Sequence, residues 1–246
     1  MPALPPAARL YSQARRNLLP RRERLVAVAG RWPHAHLQRL GVEPEVTLRC
    51  GDVPYAATFD ISEKTLARLH PGLSAPALLS VVRLPRWTPA EVLRPDARLL
   101  LVADGIEYAG NLGTLVRTAD AAGADGLVLT NATCRLTHPK VFEASRGTVL
   151  TLPVLEYGTV ADARRDLAAA GFTAYVADPA AATPYLDVAY APRVAIVVGS
   201  EGDGVAAEWR TPDLTRVSIP MRGTADSLNV AASASVLLFD ARARLR

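Results

Sequence analysis

Cysteine is scarce in this chain: its 246 residues include two, Cys50 and Cys134. Two cysteines do not build a disulfide framework, so a reducing compartment, the cytoplasm, is expected. Histidine is also sparse. Cys134 and His138 are four apart, and His34 and His36 flank Ala35. Neither pair has a second pair close by to complete four ligands, so no metal is expected. Long apolar runs are missing too. Charges interrupt every candidate before it reaches the ~20 residues of a membrane span. The N-terminus has no basic-then-apolar leader pattern, and Pro2, Pro5 and Pro6 would break such a helix. Lysine is absent from the first forty residues, where arginine stands instead.

Residues 1–40 hold Arg9, Arg15, Arg16, Arg21, Arg22, Arg24, Arg31 and Arg39 against one acid, Glu23, a net of +7. The whole chain is +4, so the other 206 residues sum to −3. A positive patch on a near-neutral body suits an anionic polymer, and the guanidinium fork grips phosphate and stacks on bases. A solvated helix face is the competing reading. Half the residues are hydrophobic, enough for a core of ordinary size.

Residues 85–96 carry three prolines with little apolar periodicity and read as a linker. The preceding 1–84 predict a small α/β domain. It has a helix over 7–29 interrupted near Pro20, a strand over 45–50, a helix N-capped by Ser62 and a buried strand over 77–82. Residues 97–246 alternate between strands (99–103, 127–129, 152–155, 173–177, 194–198, 217–221) and helices (112–122, 141–146, 160–170, 230–238). That order predicts a wound, largely parallel sheet.

Ligands of such sheets sit beyond the carboxyl ends of the strands. Three polar clusters fall there. The first contains Gly110, Asn111, Gly113 and Arg117, its glycines suiting a tight turn. The second is Gly199-Ser200-Glu201-Gly202-Asp203-Gly204. Its spacing matches neither G-x-G-x-x-G nor the phosphate loop, and its two acids would repel phosphate. A neutral or cationic ligand is expected. The third is Ile219-Pro220-Met221, a polar loop, then Ser227-Leu228-Asn229 ahead of an Ala/Leu-rich helix. Ser227 reads as a helix N-cap, a site residue, or both.

Together the clusters resemble the three motifs of the TrmH (SpoU) branch of the SPOUT methyltransferases. Asn111-x-Gly113-x-x-x-Arg117-Thr118-Ala119 is similar to the first, Gly199-Ser200-Glu201-Gly202-x-Gly204 to the second, and Ile219-Pro220-Met221 with Ser227-Leu228-Asn229-Val230 to the third. Thr114 stands where the family often has Ala. Ala144-Ser145-Arg146-Gly147 resembles a segment of the thiostrepton-resistance-type ribosomal RNA enzymes. Residues 1–84 resemble the family's substrate-binding domain by size, position and charge.

The resemblance implies a SPOUT domain with a C-terminal trefoil knot, S-adenosylmethionine bound in it, a homodimer, and methyl transfer to a ribose 2′-hydroxyl of ribosomal or transfer RNA. It implies Arg117, Asn111, Glu201, Ser227 and Asn229 as catalytic residues. Gly199, Ser200, Gly202, Ile219, Pro220, Met221 and Leu228 are implied around the donor. Arg15, Arg16, Arg21, Arg22, Arg24 and Arg146 are expected on the RNA. A guanidinium keeps its proton, so Arg117 is expected to hold phosphate and stabilise alkoxide charge rather than act as a base. A small-molecule methyltransferase and a non-catalytic RNA-binding relative stay open as alternatives.

Overall fold

The computed structural model describes residues 4–200 and 202–245. The chain divides into two compact units, Met1–Pro85 with Arg135–Glu143, and Arg86–Cys134 with Ala144–Arg246.

The first unit contains α1 (Pro6–Arg15), β1 (Leu25–Ala29), α2 (Arg31–Leu40), β2 (Val46–Cys50), β3 (Phe59–Asp60), α3 (Glu63–Leu69) and β4 (Ala77–Arg83). Its sheet runs β1-β4-β2-β3. β4 is antiparallel to both neighbours, and β3 adds parallel to β2. The helix expected over 7–29 is corrected here. It stops at Arg15, and Leu25–Ala29 is a strand paired to β4. The alternating Leu-Val-Ala-Val-Ala side chains fit a pleated, buried surface, and a long-range ladder outweighs local helix propensity. The expected Ser62 cap is present: its side chain accepts from the Thr65 N–H at 3.3 Å. α2 begins after Gly30 (φ +97°) and ends at Gly41 (φ +66°), both in backbone regions that favour glycine.

A buried polar trio crosses this unit's sheet. His34 Nδ1 lies 2.9 Å from the Gly30 carbonyl, which can only accept, so Nδ1 carries the proton. Nε2 then accepts from the Ser80 hydroxyl at 2.6 Å, and Ser80 accepts from Thr47 at 2.8 Å. Burial holds the His34 pKa below its usual 6.5, against a weaker upward pull from the Gly30 carbonyl. The segment Arg135–Glu143 is tied in by Arg135, which donates to the carbonyls of Leu19 and Asn17 at 2.8 and 3.2 Å.

The second unit contains α4 (Pro89–Val92), β5 (Leu99–Asp104), α5 (Ala109–Ala121), β6 (Gly126–Thr130), β7 (Val154–Glu156), α7 (Val160–Ala169), β8 (Thr173–Ala177), β9 (Val194–Val198), β10 (Thr215–Val217) and α8 (Val230–Arg244). α6 (Pro139–Ala144) spans the boundary between the units. The residues expected as linker include the turn of α4, whose Val92 is fully buried in the second unit's core. All six strands are parallel, in the order β10-β8-β9-β5-β6-β7. β5 and β9 are buried along their whole length, as expected of strands covered on both faces. α5 and α8 pack on each other, and α8 lies against β5 and β9. The strand expected over 217–221 ends at Val217. Ser218 still bridges to Pro184, but Pro220 has no N–H with which to extend the ladder.

Candidate functional site

A cavity of about 280 Å³ opens beyond the carboxyl ends of β8, β9 and β10. Its walls come from three segments far apart in sequence. Ala177 and Asp178 stand at the end of β8, residues 198–200 and 202–204 end and follow β9, and Ile219, Met221, residues 226–228 and Val230 come from the stretch between β10 and α8. Among the residues expected around a donor, Gly199, Ser200, Gly202, Ile219, Met221 and Leu228 line the cavity; Pro220 does not. Ser227, expected as catalytic, also lines it. Glu201 lies outside the described residues.

The β9 loop is closed by its own backbone. Ser200 N–H donates to the Gly204 carbonyl at 3.0 Å and Gly204 N–H to the Ser200 carbonyl at 3.1 Å. The crossing leaves no space at Gly199, where a Cβ would sit 2.1 Å from the Gly204 carbonyl carbon. Gly204 has φ +68°. Asp104, buried at the tip of β5, anchors the loop's exit. One carboxylate oxygen accepts from Thr130 and Asn131 at 2.8 Å, the other from the Ala206 N–H at 2.6 Å.

The expected turn at Gly110 and Gly113 is corrected: both lie inside α5, and the turn falls earlier, at Gly105 (φ +66°). The N-cap of α8 is Asn229 rather than Ser227. Its Oδ1 accepts from the Ala231 N–H at 3.0 Å. Its Nδ2 donates to Asn111 Oδ1 on α5 at 3.4 Å, so the first and third clusters meet through two amides. Ser227 donates to Asp226 at 3.2 Å. Arg117 is exposed on α5 and does not line the cavity.

A family model described as the SpoU rRNA Methylase family matches residues 98–239. The chain belongs to the SpoU family. Over 146 residues it is 34% identical to the 23S rRNA (guanosine(2553)-2'-O)-methyltransferase RlmP of Bacillus subtilis (strain 168), covering 59% of this chain and 58% of that protein. A crystal structure titled RNA 2'-O ribose methyltransferase is 30% identical with a TM-score of 0.75, covering 97% of this chain and 94% of that one. The AdoMet-bound rRNA methyltransferase of Sinorhizobium meliloti shares the fold at 22% identity, with a TM-score of 0.84 and 100% and 98% coverage. The chain spans 54–58% of the length of the first curated relatives it matches.

The three clusters that resemble the family's motifs lie in the second unit. The expected RNA contacts are mostly elsewhere. Arg16, Arg21 and Arg22 are exposed on the first unit, and Arg15 is half-buried. Arg24 donates its Nε to the Pro85 carbonyl at 3.0 Å, so part of its guanidinium serves the fold. Arg146 is exposed with φ +54°. Sequence reasoning missed Asp178, Asp226 and Ser233, which line the cavity. An acid directly after an apolar strand, as in Val176-Ala177-Asp178, was the available signal. Among the described residues no group of His, Cys, Asp or Glu is placed to hold a metal ion. No helix among them is long and apolar enough to cross a membrane.

Proposed function

We propose that this chain is a cytoplasmic, S-adenosylmethionine-dependent methyltransferase acting on a ribose 2′-hydroxyl of ribosomal or transfer RNA, as a homodimer. The cavity carries this reading. Its volume of about 280 Å³ suits most of a nucleoside-sized ligand. Ile219, Leu228 and Val198 offer apolar walls to a flat base, and the glycine loop brings backbone donors and acceptors close. Asp178, Asp203 and Asp226 on the rim favour a cationic ligand over a phosphate.

When bound, S-adenosylmethionine supplies an electrophilic methyl group on a sulfonium. The protein's part is positioning. Gly199, Ser200, Gly202, Ile219, Met221 and Leu228 hold the donor. The Asn229–Asn111 pair aligns the start of α8 with α5 and orients the acceptor. Ser227 shapes the entrance. Arg117 grips the phosphate beside the acceptor and stabilises negative charge as it develops on the 2′-oxygen. The first unit, with Arg15, Arg16, Arg21, Arg22 and Arg24, is the RNA-holding domain, and Arg146 adds a contact from the second.

Two features support the remaining architecture. The chain leaves edge strand β10, lines one cavity with the loop after β9, and returns to the middle of the sheet as α8, which supports the reading of a trefoil knot. α8 turns Ala232, Phe239 and Ala243 outward, with Phe239 52% exposed, which suits a second copy.

Incubation with methyl-labelled S-adenosylmethionine and ribosomal or transfer RNA tests the reading. Label is expected on a single 2′-oxygen, mapped by resistance of the adjacent phosphodiester to alkali. RNA binding without transfer points to a non-catalytic relative. Donor binding with no RNA binding points to a small-molecule acceptor. Near-normal turnover by Arg117→Lys would overturn the special role of the guanidinium.

A further inference from the structure

We propose that Asp178 holds the free 2′,3′-diol of the donor's ribose and makes the cavity selective for ribonucleosides. This rests on the donor-pocket reading above. Asp178 follows β8 directly and lines the cavity. The other two lining carboxylates differ from it. Asp203 and Asp226 are exposed, whereas the Asp178 side chain is 21% exposed and fixed from two sides. Its Oδ1 accepts from the Ala180 N–H at 2.9 Å, and its Oδ2 accepts from Arg216 Nη1 at 3.1 Å.

Each carboxylate oxygen has two acceptor positions, so each keeps one after these bonds. Two fixed oxygens with one open position apiece match two adjacent hydroxyl donors. A carboxylate near the carboxyl end of a parallel strand is also a general solution for holding ribose hydroxyls. The diol separates donor from acceptor. Within an RNA chain the 3′-oxygen is esterified, so an internal nucleotide offers no vicinal diol. Asp178 thus reads a feature that the donor has and the RNA interior lacks.

Titration calorimetry on the full chain with S-adenosylhomocysteine and its 2′-deoxyadenosyl counterpart tests this. The wild-type protein is expected to prefer the ribose ligand by about tenfold or more, the scale of a hydrogen bond to a charged group. Asp178→Asn should weaken the ribose ligand more than the deoxy ligand, which keeps only the 3′-hydroxyl contact, and so narrow the gap between them. Arg216→Met, which removes the brace but keeps the carboxylate, should produce a smaller loss in the same direction. Equal wild-type affinity for both ligands overturns the inference alone, and that measurement needs no variant to fold. An equal loss for both ligands in Asp178→Asn, with an unchanged melting temperature, also overturns it. Failure of the wild-type protein to bind either ligand overturns the donor-pocket reading as well.

Discussion

In the second unit, β5 and β9 are apolar up to their carboxyl ends, and the polar groups that matter sit at or just beyond those ends. In the first unit a polar trio lies inside the sheet itself: Thr47 on β2 and Ser80 on β4 face each other in the ladder, with His34 closing the chain from α2. A slip of one residue between β2 and β4 would break that chain and leave buried donors unmet, so the trio fixes register. The second unit's strands are fixed by burial along their length, with the Asp104–Thr130 pair at the end of β5 and β6. One unit places its buried polar side chains within the sheet; the other places them at the strand ends, where Asp104 bonds Thr130 and the loop after β9.

Gly199→Ala is the strongest test on the ligand side. The added Cβ meets backbone, which cannot turn aside. We expect donor binding to fall below detection by calorimetry, with overpacking costing about 1–3 kcal/mol in denaturant unfolding. Asn229→Ala is next. It removes the α8 cap, worth about 1 kcal/mol, and the amide pairing with Asn111. Transfer should fall about a hundredfold while donor binding persists; loss of both together would make Asn229 purely structural.

On the architectural side, Ser80→Ala leaves His34 Nε2 and the Thr47 hydroxyl without their partner. We expect a loss of about 1–3 kcal/mol in unfolding, with donor affinity intact. A change in donor affinity would break the contrast between the units. The smallest effect is with pH. Native His34 resists protonation, while in the unfolded chain it titrates near 6.5. Below that pH the unfolded state binds more protons, so stability falls as pH drops from 7 to 5. His70, also lowered by burial, adds to the same trend. His34→Gln should flatten the slope seen by urea unfolding across that range.

The second unit's sheet was legible because runs such as Leu99-Leu100-Leu101-Val102-Ala103 have one reading when bounded by turn residues. Leu25–Ala29 was not, because its state is decided by β4, more than fifty residues away. α2 escaped notice because Pro33 and two histidines hide its pattern, although Gly30 and Gly41 mark both ends. In the site, the glycine loop announced itself by composition. Asp178 did not, since its place beside that loop depends on β8 lying next to β9, a fact of strand order rather than of local sequence. Gly110 and Gly113 misled for the opposite reason: glycine permits a turn without requiring one.

The nine residues Arg135–Glu143 belong to the first unit although the chain has by then made β5, α5 and β6 of the second. During synthesis the amino-terminal unit is therefore incomplete until well over half the protein has left the ribosome. A nascent chain released at Pro85 would lack the arginine that holds the turn after α1. The two halves cannot mature strictly one after the other, and a fragment cut at the proline-rich boundary should be a poorer folder than its share of the core suggests.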